Sequence, residues 1–238
     1  MDKAVSIRET KISLTPEERE LMLSFFKRLK AETDAMPPTD VDMMVWRLNG
    51  HFRDKDIKSL IPNGRIRFHF DPKRDARAEY HEQYVTIYIN LAWFATRMYD
   101  AEADKLKLFS GNVIKRINYA KMVPAFAHEF VHYKQHQVGA KSRGSDSGNY
   151  IHSSQKPYFM QPFEQQAWAV EYLEFLRQSL PKMDAKTVLD RLKRLVVVYH
   201  TDLSDLKKTD YKAWKSIMKN IIVTALQDLK QQEPSKKL

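Results

Sequence analysis

In SLTPEERELMLSFFKRLKAE the apolar positions Leu21, Leu23, Phe25, Phe26 and Leu29 recur at helical spacing, so one stripe of this segment needs a packing partner. Thr15, Pro16 and Glu18 supply a capping box with proline at the first helical position, and the spacing predicts a helix over residues 16–32. MPPTD interrupts it, and DVDMMVWRLNG predicts a second, shorter helix ending near Gly50. The period then changes. RIRFHF alternates basic and apolar residues, and YVTIYIN is β-branched and aromatic, with the polar DPKRDARAEYHEQ between them. Two antiparallel strands joined by a long loop are expected, with His69 and His81 on their surface.

Helical spacing returns in LAWFATRMYDAEADKLKLF, again over residues 112–122, and once more from Pro124 to about Val138, where Gly139 is placed as a C-cap. Residues 140–161 are rich in serine, glycine and polar side chains and read as a loop; loops of that length inside a domain are usually functional. Pro162 opens a further helix that ends before Pro181, and amphipathic helices are expected over residues 185–200 and 211–230. The polar tail QQEPSKKL is expected to be disordered.

These elements predict an α+β, mostly helical protein with a small antiparallel or mixed sheet. The expected organisation is an N-terminal helical region over residues 1–60 packed on a core over residues 61–180, a C-terminal helical region over 181–230, and the tail 231–238. No apolar run approaches the roughly 20 residues that span a bilayer, and the first residues show no basic-then-apolar leader, so a cytoplasmic protein without membrane contact is expected. The absence of cysteine restricts any metal site to histidine, carboxylate and water. A formal charge of +10 favours polyanionic contacts without specifying nucleic acid. From Pro181 onward 13 Lys and Arg face 7 Asp and Glu; a solvated helix face is the simpler reading, and a nucleic-acid contact the alternative.

The chemistry concentrates in AHEFVHYKQH, residues 127–136. His128 and His132 are four apart, one helical turn, so both rings reach the same ion. Glu129 is rotated by about 100° from His128 and projects beside that ion rather than onto it. Two imidazole ligands with an adjacent carboxylate form the H-E-x-x-H arrangement, in which the acid deprotonates a zinc-bound water. The uncharged neighbours Ala125, Phe126, Ala127, Phe130 and Val131 fit a helix buried under a metal rather than a solvated face.

A catalytic zinc needs a third protein ligand and an open position. Glu164, in the first turn of FEQQAWAVE, is the first choice, because the small Ala167 one turn on allows close helix approach. Glu171 is the competitor, either as ligand or as a group orienting a ligand histidine. His152 is a weaker option in the loop. His136 lies about 12 Å along the axis from His128 and is a helix-end residue instead. The oxyanion donor is assigned to Tyr158, with Tyr150, His152 and His200 behind it.

AHEFVHYKQH with FEQQAWA resembles the short zincin metallopeptidases of bacteria and phages, in particular the gluzincin-like class with a downstream glutamate. The resemblance runs from YVTIYIN to about residue 180, less than half the chain. It implies a zincin-like core with extra flanking helices, a Zn2+ held by His128, His132 and Glu164, and Glu129 as the base in peptide-bond hydrolysis. It also implies a mixed sheet whose edge strand receives the peptide backbone, and YVTIYIN is the candidate strand. Two positions depart from the pattern: Lys134 replaces an apolar residue, and Trp168 stands where some gluzincins have an aspartate bracing the first histidine. The implied partner is a protein or peptide substrate, in the host cytoplasm or a virion if the source is a phage. The alternatives are a non-catalytic zincin-fold assembly protein, acting as an oligomer or phage-particle component, and a basic nucleic-acid-associated protein.

Overall fold

The computed structural model describes residues 12–36, 41–52, 55–74, 76–95, 98–100, 105–107, 117–138, 161–179, 184–199 and 206–232. It is mostly helical with a small three-stranded mixed sheet, and its packing divides into two compact units. One comprises Glu17–Phe126; the other comprises Ala127–Leu238 with Met1–Pro16. Residues 61–180, expected to form one core, contribute to both.

In the Glu17–Phe126 unit, α1 spans Pro16–Ala35, α2 Val41–His51 and α3 Lys55–Leu60. Phe25, Phe26 and Leu29 are buried as the apolar stripe requires, whereas Leu21 is 41% exposed. Three aromatic rings, Phe25, Phe26 and Phe126, pack against one another with centroids 5.3–6.4 Å apart. The strands are β1 (Arg65–His69), β2 (Ala78–His81) and β3 (Thr86–Asn90).

The strand pairing differs from expectation. β1 and β3 run parallel, and the order is β1-β3-β2, with β2 antiparallel to β3. β2 arises inside the polar stretch that reads as a loop. Its Glu79 and His81 join Tyr88 on one face of the sheet, while Tyr80 turns to the other among Ile87 and Ile89. YVTIYIN is therefore the central strand, its backbone paired on both sides, and offers no edge for a peptide. The outer edge of β1 at Phe68 is taken as well: Asn49 of α2 accepts from its N–H at 2.9 Å and donates to its carbonyl at 2.8 Å.

The helix expected after Leu91 is also corrected. Among the described residues of that stretch only Leu91–Phe94 is helical (α4), and β4 (Met98–Asp100) and β5 (Lys105–Lys107) form a two-stranded antiparallel ladder. Asn90 marks the change from strand to helix, as the last residue of β3 and the N-cap of α4. Fully buried, it accepts from the Ala92 N–H to cap α4 and from the Asp71 N–H, and donates to the carbonyls of Asp71, Arg74 and Ala76. Gly64 permits a close approach that a side chain would block: a Cβ there would lie 2.7 Å from the Val85 carbonyl, which accepts from Arg65 N–H.

Helix α5 covers Tyr119–Gln137 and carries the chain from one unit into the other. It starts at Tyr119 rather than at Pro124, because the Asn118 side chain accepts from Lys121 N–H. Pro124 sits inside the helix at the loss of one backbone hydrogen bond. In the Ala127–Leu238 unit, α6 (Pro162–Ser179), α7 (Ala185–Tyr199), the single turn α8 at 206–209 and α9 (Tyr211–Gln232) follow. Trp168, Tyr172 and Leu173 of α6, Leu192 of α7 and Ile221 of α9 share one apolar core. No helix among the described residues is long and apolar enough to cross a membrane.

Candidate metal centre

His128 and His132 lie in the last half of α5, one turn apart on its buried side, with 5% and 8% of their surfaces exposed. Their Nε2 atoms approach to 3.1 Å. If both neutral rings carry their protons on Nδ1, two lone pairs face each other here, an arrangement that a cation between them would relieve. Glu164, in the first turn of α6 and 1% exposed, brings its Oε2 to 3.4 Å from each of those nitrogens. That oxygen is buried and has no well-placed hydrogen-bond donor among the described residues.

The triangle of 3.1, 3.4 and 3.4 Å is close to the one a tetrahedral cation imposes, with the ring–ring edge slightly short. Bonds of about 2.0–2.2 Å at tetrahedral angles separate neighbouring ligand atoms by about 3.3–3.6 Å. His128, His132 and Glu164 are the one set of three metal-capable groups brought together among the described residues.

Each ring is also held from behind. Glu171, about two helical turns after Glu164 on α6 and 5% exposed, places Oε2 3.0 Å from His128 Nδ1. Gln135 Oε1 lies 2.8 Å from His132 Nδ1. An ion-pair contact at His128 Nδ1 and a hydrogen bond at His132 Nδ1 leave Nε2 of each ring as the atom that faces Glu164 and could bind an ion. Glu171 thus lies on the Nδ1 side of His128, outside the triangle, and stands beside that ring where the resemblance would put an aspartate at position 168. Trp168 is 4% exposed in the α6, α7 and α9 core. Lys134 is half-buried and donates to the Ser13 carbonyl at 2.6 Å, which accounts for a lysine at that position.

The electrostatics call for positive charge. Burial alone would lower the His128 pKa, but contact with the carboxylates of Glu164 and Glu171 outweighs it and raises it to about 10. His132 is raised too, its burial offset by Glu164. Burial pushes Glu164 up, and the two imidazoles overcome that and hold it at about 2. The positive charge can come from protons or from a divalent ion.

Glu129 is half-buried and acts on His128 and His132 through its charge without joining the triangle. His136 occupies the last turn of α5, apart from the cluster, as its spacing predicts. Tyr150, His152, Tyr158 and His200 lie outside the described residues. Gln135 went unnoticed in the sequence. Its signal is the spacing: three residues past His132, it returns to the same face of α5.

The chain matches no family model, and no significant match to a curated protein or to a solved structure is found.

Proposed function

We propose that this protein is a zinc-dependent metallopeptidase with a zincin-like core, in which His128, His132 and Glu164 hold the ion and Glu129 is the general base. The observation carrying this reading is the convergence of two Nε2 atoms and one orphaned carboxylate oxygen at tetrahedral-edge distances. Zinc, when bound, supplies Lewis acidity and brings the pKa of its water to about 7. Three protein ligands suit a catalytic site, which keeps a position for water, better than a closed structural site of four.

The protein's own residues then divide the work. Glu171 and Gln135 fix the ligand rings, so that bond formation costs little reorganisation. Glu129 takes the proton of the attacking water and delivers it to the amine as the peptide bond breaks. The oxyanion donor is assigned to Tyr158.

The test combines metal analysis with proteolysis. Purified protein is expected to carry about one zinc per chain, and His128→Ala to carry none. Glu129→Gln is expected to keep the zinc while its kcat falls at least about 100-fold on an unfolded-protein substrate. An empty wild-type site would remove the proposal. Undiminished cleavage by the Glu129 variant would remove the base assignment, and a zinc-loaded wild type without cleavage would favour a metal-braced assembly protein.

A further inference from the structure

Gln135 is 3% exposed and uses both ends of its amide. Its Nε2 lies 2.9 Å from the backbone carbonyl of Phe163 and 3.2 Å from Gln166 Oε1, and its Oε1 lies 2.8 Å from His132 Nδ1. An amide nitrogen and oxygen can be exchanged by a flip, so position alone does not fix their roles. The Phe163 carbonyl does. It can only accept, so the NH2 group must face it, and Oε1 must then face His132. An oxygen at that place accepts, which requires a proton on His132 Nδ1 and, in the neutral ring, leaves Nε2 with its lone pair toward Glu164 and His128.

We infer that Gln135 is a positioning residue that transmits the direction of the Phe163 carbonyl to His132, setting the ring's tautomer and tying it to the first turn of the ligand helix. Phe163 immediately precedes Glu164, so one amide fixes the second histidine to the backbone that carries the third ligand. His128 is held differently. Its Nδ1 meets the Glu171 carboxylate, which accepts in either orientation and carries charge. The two ligand rings are thus fixed by one neutral, direction-sensing group and one charged group. Phe163 adds a lateral wall, its ring centroid 5.9 Å from that of His132 in edge-to-face contact. With the amide removed, the ring can rotate or exchange its proton to Nε2, and the ligand atom is lost.

This assignment rests on the metal-site reading, and its test separates the two. Ring nitrogen shifts of His132 are followed by NMR through its deprotonation in protein stripped of metal, and zinc affinity is measured by chelator competition. In the wild type the neutral ring is expected to carry its proton on Nδ1. Gln135→Met, of similar length but without an acceptor oxygen or a donor, is expected to lose that preference and about 10–100-fold in zinc affinity. Its thermal transition in the metal-stripped state should remain single and close to the wild type's. Gln135→Glu restores the acceptor without the donor: it is expected to recover the Nδ1 proton but not the full affinity, because the tie to Phe163 stays broken.

An unchanged tautomer preference in Gln135→Met overturns the inference, as does full zinc affinity in that variant. Should Gln135→Met fail to fold, the wild-type tautomer and Gln135→Glu decide, and a neutral wild-type ring protonated on Nε2 overturns the inference. Absence of zinc binding in the wild type would sink the metal site, while the tautomer measurement would still stand as the test of Gln135.

Discussion

Glu129, Glu164 and Glu171 are three acids around one imidazole pair, and their surroundings give them different work. Glu164 faces both Nε2 atoms, Glu171 faces one Nδ1, and Glu129 stands half-exposed beside them. Replacing Glu171 with Ala removes the partner of His128 Nδ1; zinc affinity is expected to fall about 10–100-fold, read by chelator competition, with cleavage persisting at saturating zinc. The titration of the cluster sets a second expectation. His128 at about 10 lies above its ordinary 6.5, so in metal-stripped protein its stabilising contribution is complete below pH 6.5 and lost as pH climbs through about 10. Glu164 at about 2 lies below its ordinary 4.5, so its contribution is present above pH 4.5 and lost as pH falls through about 2. The cluster therefore stabilises the stripped protein most between pH 4.5 and 6.5. Zinc competes with the same protons. Its uptake should release protons in calorimetry, and its affinity should rise between about pH 6 and 8; a pH-independent affinity would contradict the shared site.

Among the elements, α5 and α6 meet at the site through their ends: the last half of one helix and the first turn of the other. Glu164 in a first turn also lies where a helix favours negative charge, which helps keep it ionised. The apolar spacing of α1, α2, α7 and α9 was readable because each buries one stripe, whereas α6 is buried on nearly every side. The sheet was less so. Its parallel β1–β3 pair joins strands that are not neighbours in sequence, with β2 antiparallel on the far side of β3, and no local spacing encodes that. Asn90 holds this arrangement by bonding three carbonyls and two N–H groups. Asn90→Ala strands those buried groups and should destabilise the Glu17–Phe126 unit by about 2–4 kcal/mol, measurable by urea unfolding. A change under about 0.5 kcal/mol would mean that water replaces the amide.

For the whole molecule, the three candidate ligands all belong to the Ala127–Leu238 unit. A ligand that binds only the folded form stabilises by mass action, about 2.7 kcal/mol at a hundredfold excess over Kd. Zinc is therefore expected to slow hydrogen exchange in α5 beyond Ala127 and in α6, and to leave β1–β3 near their zinc-free rates. Uniform protection of both units would instead indicate a single cooperative unit. A multiphase melt in the absence of zinc, merging or shifting on its addition, would carry the same information.

By itself the sequence determined the helical face: His128, Glu129 and His132 follow from a 3.6-residue period, and the uncharged residues around them announce burial. Glu164 was also legible, through the first turn of a helix opened by Pro162 and the small Ala167 beside it. The tertiary structure alone decided what depends on distance between segments far apart in sequence. It separated Glu164, 3.4 Å from both Nε2 atoms, from Glu171, 3.0 Å from Nδ1. It also enlisted Gln135 and closed both edges of YVTIYIN. Periodicity fixes which side of an element is buried; which atoms then meet is set by the packing of one element on another.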